Sequence, residues 1–162
     1  MKQRRLVDVD TERGQSALRL EREAVRKFTT VHQGYDFIET PKDKPALVDG
    51  VFAEGGVVRA VVEVKVRKLT RRRLRELGDT WLISMTKLDA GRAASFILGA
   101  PFVGMLYLIP EKRLLTLRIT NDKGTWALDF EKKETTTQKS INGGEAVRLN
   151  AYLPLATAKE HE

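Results

Sequence analysis

One valine-dense run constrains the fold more than any other stretch: Val57-Val58-Arg59-Ala60-Val61-Val62-Glu63-Val64-Lys65-Val66-Arg67. β-Branched residues at this density favour extended backbone, and Gly55-Gly56 just before them is a two-residue hairpin signal. The sequence therefore predicts a long strand over 57–67, paired through that hairpin with a strand over 46–54. Side chains on a strand alternate between faces. Val62, Val64 and Val66 fall on one face, and Arg59, Val61, Glu63, Lys65 and Arg67 on the other. Glu63 and Lys65 thus stand roughly 7 Å apart on one side of a sheet. Asp49 lies on the preceding strand, in the apolar context Leu47-Val48-Asp49-Gly50-Val51-Phe52. A buried carboxylate without a partner is costly, so Asp49 calls for one.

The flanking segments complete a pattern. Ala17, Leu18, Ala24, Val25, Phe28 and Val31 recur at three- and four-residue spacing, which predicts an amphipathic helix over 11–31. A short strand follows over 35–40, and Pro41, Asp43 and Pro45 mark a turn. A second helix is expected over 79–98, a strand pair over 102–109 and 114–120, and a further strand over 125–130 with Trp126, Leu128 and Phe130 on one face. The order helix, three strands, helix, strand implies an α/β fold, a mixed sheet flanked by helices. The 162 residues suit one domain, with a core over about 11–120 and a polar C-terminal extension over 131–162.

Asp49 and Glu63, meeting across the hairpin, would repel by about 4 kcal/mol at 4 Å and an effective dielectric of 20. A divalent cation reverses that sign, and magnesium binds by a few carboxylates, waters and phosphate oxygens. An ammonium beside it orients a water and stabilises developing negative charge. The three side-chain types are those that metal-assisted phosphodiester hydrolysis requires.

Asp49, a hairpin of suitable length and Glu63-Val64-Lys65 resemble the motif of the PD-(D/E)xK nuclease superfamily, over about residues 11–109. That superfamily includes restriction enzymes, Holliday-junction resolvases, RecB-type exonucleases and phage recombination nucleases. Val48 stands where the motif's proline would be. The resemblance implies a restriction-endonuclease-like αβββαβ core and a Mg²⁺ or Mn²⁺ cofactor. It implies metal ligation by Asp49, Glu63 and the Val64 backbone carbonyl, with Lys65 assisting the attacking water. It also gives Glu21, central on the apolar face of the first helix, a part in the site. Lys87 on the second helix would reach the phosphate, although Gly91 four residues later departs from the Gln-xxx-Tyr signature of RecB-type relatives. The implied activity is DNA hydrolysis, structure-selective or end-processing, in recombination, repair or phage DNA metabolism. Resolvase action would require a homodimer to cut two strands symmetrically. The alternative from another class is a catalytically inactive nucleic-acid-binding module of the same fold.

Charge fits either reading. The formal net charge is +7, which favours polyanionic partners. Lys68, Arg71, Arg72, Arg73 and Arg75 follow the valine-rich strand with no acid before Glu76, and are expected to bind phosphates. Segment 135–149, with Gln138, Lys139, Asn142, Gly143, Gly144 and Arg148, reads equally as a DNA-contacting loop or an ordinary connection. The chain has no cysteine, which excludes disulfides, thiol catalysis and iron–sulfur ligation. Two histidines, His32 and His161, are too few for a histidine-rich zinc site; His32 is expected at the end of the first helix and His161 in a tail. No signal-peptide pattern follows Met1, and a cytoplasmic location is expected, in the host if the chain is phage-encoded. Segment 93–110 is uncharged, but Gly99, Pro101 and Gly104 interrupt it, so no membrane association is expected.

Overall fold

A computed structural model of the chain describes residues 8–136 and 143–161. Helix α1 spans Glu12–Val31 and opens where the Thr11 side chain accepts a hydrogen bond from Gly14 N at 2.9 Å. Strands β1 (Asp36–Glu39), β2 (Gly50–Glu54) and β3 (Val57–Arg67) form an antiparallel meander. Gly55 and Gly56, at φ +56° and +78°, make the turn between β2 and β3, a conformation that side-chain-bearing residues resist.

From β3 the chain enters a short helix α2 (Arg71–Glu76), strand β4 (Thr80–Ser84) and helix α3 (Met85–Leu98), then returns as β5 (Phe102–Leu108). β5 runs parallel to β3, which is possible because this long crossover carries the chain back. β6 (Arg113–Arg118) pairs antiparallel with β5. The six-stranded sheet has the order β1-β2-β3-β5-β6-β9, where β9 is Lys159–His161. A second sheet has the order β4-β8-β7, from β7 (Glu131–Thr136) and β8 (Val147–Pro154). The architecture is thus α/β with a mixed sheet.

The large sheet is covered on both faces. Val62, Val64, Met105 and Tyr107 pack with Ala24 and Val25 of α1. Val61, Leu106, Leu108, Leu115 and Leu117 pack with Leu88 of α3 and with Trp81, Ile83, Ala151 and Leu153 of the second sheet. Close approach fixes one glycine: a side chain at Gly104 would collide with the Trp81 ring.

Four expectations need correction. The helix expected over 79–98 is β4 followed by α3. Trp81 and Ile83 alternate inward as strand residues do, and Ser84 then caps α3, accepting from Lys87 N at 3.4 Å. The strand expected over 46–54 begins at Gly50. Residues 125–130 form only a bridge between Thr120 and Trp126, yet Trp126, Leu128 and Phe130 still pack on the core. Segment 131–162 is no mere polar extension. It supplies β7, β8 and β9, and β9 completes the large sheet against β6. His161 accordingly lies in a strand, hydrogen-bonded to Thr116 at 2.9 Å and facing His32 at 3.3 Å. Gln138, Lys139 and Asn142 lie outside the described residues.

Candidate active site

The site lies where β2 separates from β3. Asp49 N still donates to Val62 O at 3.0 Å, and Asp49 O still accepts from Thr40 N at 2.9 Å. Beyond that point the chain turns away, held by Thr40 Oγ1 donating to Val48 O at 2.7 Å. Gly50 makes the bend possible, since a side chain there would strike the Phe37 ring and Ile38 O. The next inward-facing amide of β3, Val64 N, donates instead to Asp49 Oδ2 at 2.8 Å. A strand residue directs its N–H and C=O to the same edge, so the Val64 carbonyl opens toward the Asp49 side chain.

Glu63 is on the opposite face of β3 from Val62 and Val64 and is only 4% exposed. Lys87 reaches it from α3, with Nζ 3.3 Å from the carboxylate and 3.4 Å from Ala46 O. Lys42, from the loop between β1 and β2, places Nζ 3.4 Å from Asp49 Oδ1. Glu21 shares a small cavity with Val25, Phe37, Lys42, Asp49 and Val64. Lys65 is exposed, one strand step beyond Glu63 on the same face.

Three carboxylates and three ammoniums from four segments, α1, the β1–β2 loop, β3 and α3, therefore act on one another. Burial first, and then the Asp49 charge, push Glu63 up to about 7, against the pull of Lys87 and Lys65. The same two causes push Glu21 up to about 7, opposed by Lys42, Lys65 and Lys87. Accumulated negative charge in a poorly solvated place is what a cation relieves.

Among the described residues no three acidic or histidine side chains converge closely enough to hold a metal by themselves. Two carboxylates and a backbone carbonyl are all-oxygen donors, which fits magnesium or manganese, whose remaining positions are filled by water and phosphate. Asp49, Glu63 and Val64 would hold such an ion. Compared with protein-family models, curated proteins and solved structures, the chain matches none.

The expected phosphate-binding segment is placed differently from the sequence expectation. Arg71 is buried, with its guanidinium bonded to Asp79 and, at 2.8 Å, to Glu160, and its amide at 2.6 Å from Glu111. It is a structural residue and is not available to phosphate. Arg72 and Arg73 each contact Glu76 at 3.1 Å, and Arg75 lies 3.8 Å from Glu160. The linear sequence shows no acid before Glu76, but one helical turn and the distant β9 bring acids alongside. Lys68 is exposed and makes no ion pair among the described residues. Lys42 was the functional candidate that sequence reasoning missed. It lies in a turn between Pro41 and Pro45, with no periodicity to direct it, and only the bend after β1 brings it to Asp49.

Proposed function

We propose that the protein is a metal-dependent nuclease of the PD-(D/E)xK type that hydrolyses DNA phosphodiester bonds. The observation that carries this reading is the fork at Asp49, where the Asp49 carboxylate takes the Val64 amide between Glu63 and Lys65. The order α1-β1-β2-β3-α3-β5 supports a restriction-endonuclease-like core, with α2 and β4 inserted before α3.

Asp49, Glu63 and the Val64 carbonyl would hold a Mg²⁺ or Mn²⁺ ion. A divalent ion there would lower the pKa of a bound water and offset phosphate charge. Lys65 orients the attacking water. The water oxygen forms a bond to phosphorus, the bond to the leaving oxygen breaks, and that oxygen takes up a proton from solvent water. Glu21, held near neutrality in its acid–base equilibrium, accepts the proton lost by the water. Lys42 and Lys87 neutralise the carboxylates in the free protein. Lys87 turns to the phosphate when substrate is bound.

Those same lysine–carboxylate pairs give a second reading its support: a nucleic-acid-binding module in which ammoniums permanently occupy the metal ligands. Incubation with plasmid, linear, single-stranded and four-way-junction DNA, and with RNA, in Mg²⁺ or EDTA separates the two. Hydrolysis requires Mg²⁺ and is lost in Lys65→Ala under the nuclease reading. Retention of substrate without cleavage under every condition favours the binding module.

A further inference from the structure

The small cavity of Glu21 and Asp49 does not end at the site. Arg22, Val25, Phe37 and Glu39 line it and also line a larger open groove, of about 480 Å³, between α1 and β1. That volume falls within the range of about 300–1,000 Å³ common to small-ligand sites. Two kinds of side chain face each other across it. From α1 come Arg22 and Arg26, one helical turn apart on one face. From β1 and the residue before it come Tyr35 and Phe37, which share a strand face. Arg22 is held in a fork with Glu39, Nε to Oε1 at 3.1 Å and Nη2 to Oε2 at 2.8 Å. Arg26 is exposed and pairs with no acid among the described residues. β1 is the edge strand of the large sheet, so the groove is open along its outer side.

We infer that this groove seats the nucleotide next to the scissile phosphate, as single-stranded DNA leaving the site. Arg26 holds the backbone phosphate, and the base lies on Tyr35 and Phe37. The inference rests on the nuclease reading, because it is continuity with the Asp49 cavity that relates the groove to a scissile bond. A guanidinium and two aromatic side chains, half-buried against Phe28 and Phe52, line this one groove, and that pairing takes one phosphate and one base without reading base identity. A base can lie on an aromatic side chain only when it is free of its duplex neighbours, so the seated nucleotide is unpaired. The protein would therefore act at ends, flaps or branch points, where a strand is already free.

The test uses EDTA, in which the nuclease reading allows no turnover, and a single-stranded oligonucleotide carrying 2-aminopurine at successive positions. In the wild type the probe is quenched at one position beside the protected bond, and Tyr35→Leu abolishes that quenching. Arg26→Ala, an exposed change that leaves the fold intact, weakens binding about tenfold and lowers the salt slope by about 0.7, the loss of one single-strand phosphate contact. In Mg²⁺ the same variant raises KM and leaves kcat unchanged. Equal affinity and equal quenching in wild type, Arg26→Ala and Tyr35→Leu would overturn the groove assignment while leaving cleavage by the wild type standing. A wild type that cleaves nothing in Mg²⁺ would instead remove the nuclease reading itself.

Discussion

Glu63→Gln removes one negative charge from the most enclosed point of the site and keeps the side chain's shape. Glu63 is pushed from 4.5 up to about 7, chiefly by burial and then by Asp49. A raised pKa means that the folded state binds the proton more tightly than the unfolded chain. The stability tied to that proton is complete below about pH 4.5 and is lost as pH rises through about 7. A shift of about 2.5 units at 1.36 kcal/mol each costs roughly 3 kcal/mol at pH 8. The pull of the half-buried Lys87 ammonium on Glu63 is already contained in that net shift. The variant should therefore be about 3 kcal/mol more stable at pH 8 in EDTA, a gain of roughly 6–12 °C in Tm for a domain of this size. At pH 4, where Glu63 is largely protonated in the folded and the unfolded chain alike, the two should melt together. Addition of Mg²⁺ at pH 8 should raise the wild-type Tm by mass action and leave the variant unmoved. Thermal melting at both pH values, with and without the ion, measures all of this. A variant less stable than wild type at pH 8 in EDTA would refute the reasoning, because Glu63 would then be a net structural asset.

Further outcomes follow from other residues. Lys65 is exposed, so Lys65→Ala should change stability by no more than about 0.5 kcal/mol, while kcat on DNA falls about 100-fold or more; unchanged kcat would remove Lys65 from the chemistry. Arg71→Ala takes the buried guanidinium from Asp79 and leaves Glu160 with Arg75 and Arg113 alone, and urea unfolding should show a loss of about 1–2 kcal/mol, with DNA affinity of the folded protein retained. Lys42→Met takes the ammonium from Asp49, so the metal-free protein should melt a few degrees lower, while the Tm gain on adding Mg²⁺ grows; an unchanged gain would show that Lys42 does not compete for the ligand.

Local signals carried much of the fold. The valines of β3, the Gly55-Gly56 turn and the apolar stripe of α1 each belong to one short segment, and each element lies where its pattern puts it. Glu63 and Lys65 share a face because alternation alone decides that. The failures came where partners were distant. Trp81 and Ile83 alternate over too few residues to separate a strand from the following helix without the β8 neighbour that pairs with β4. β7 is almost wholly exposed and has no apolar alternation to display. The acids that occupy Arg71 come from Asp79 and from Glu160, eight and 89 positions away. Lys42 reaches Asp49 only through the bend at Pro41 to Val48, which no periodicity encodes.

Titration of the metal-free protein with Mn²⁺, followed by electron paramagnetic resonance, tests the account at its centre. The wild type should take up one ion, and Asp49→Asn should take up none in the same range while keeping its fold. Equal uptake by both proteins, or none by the wild type, would contradict the claim that Asp49 and Glu63 gather around a divalent cation.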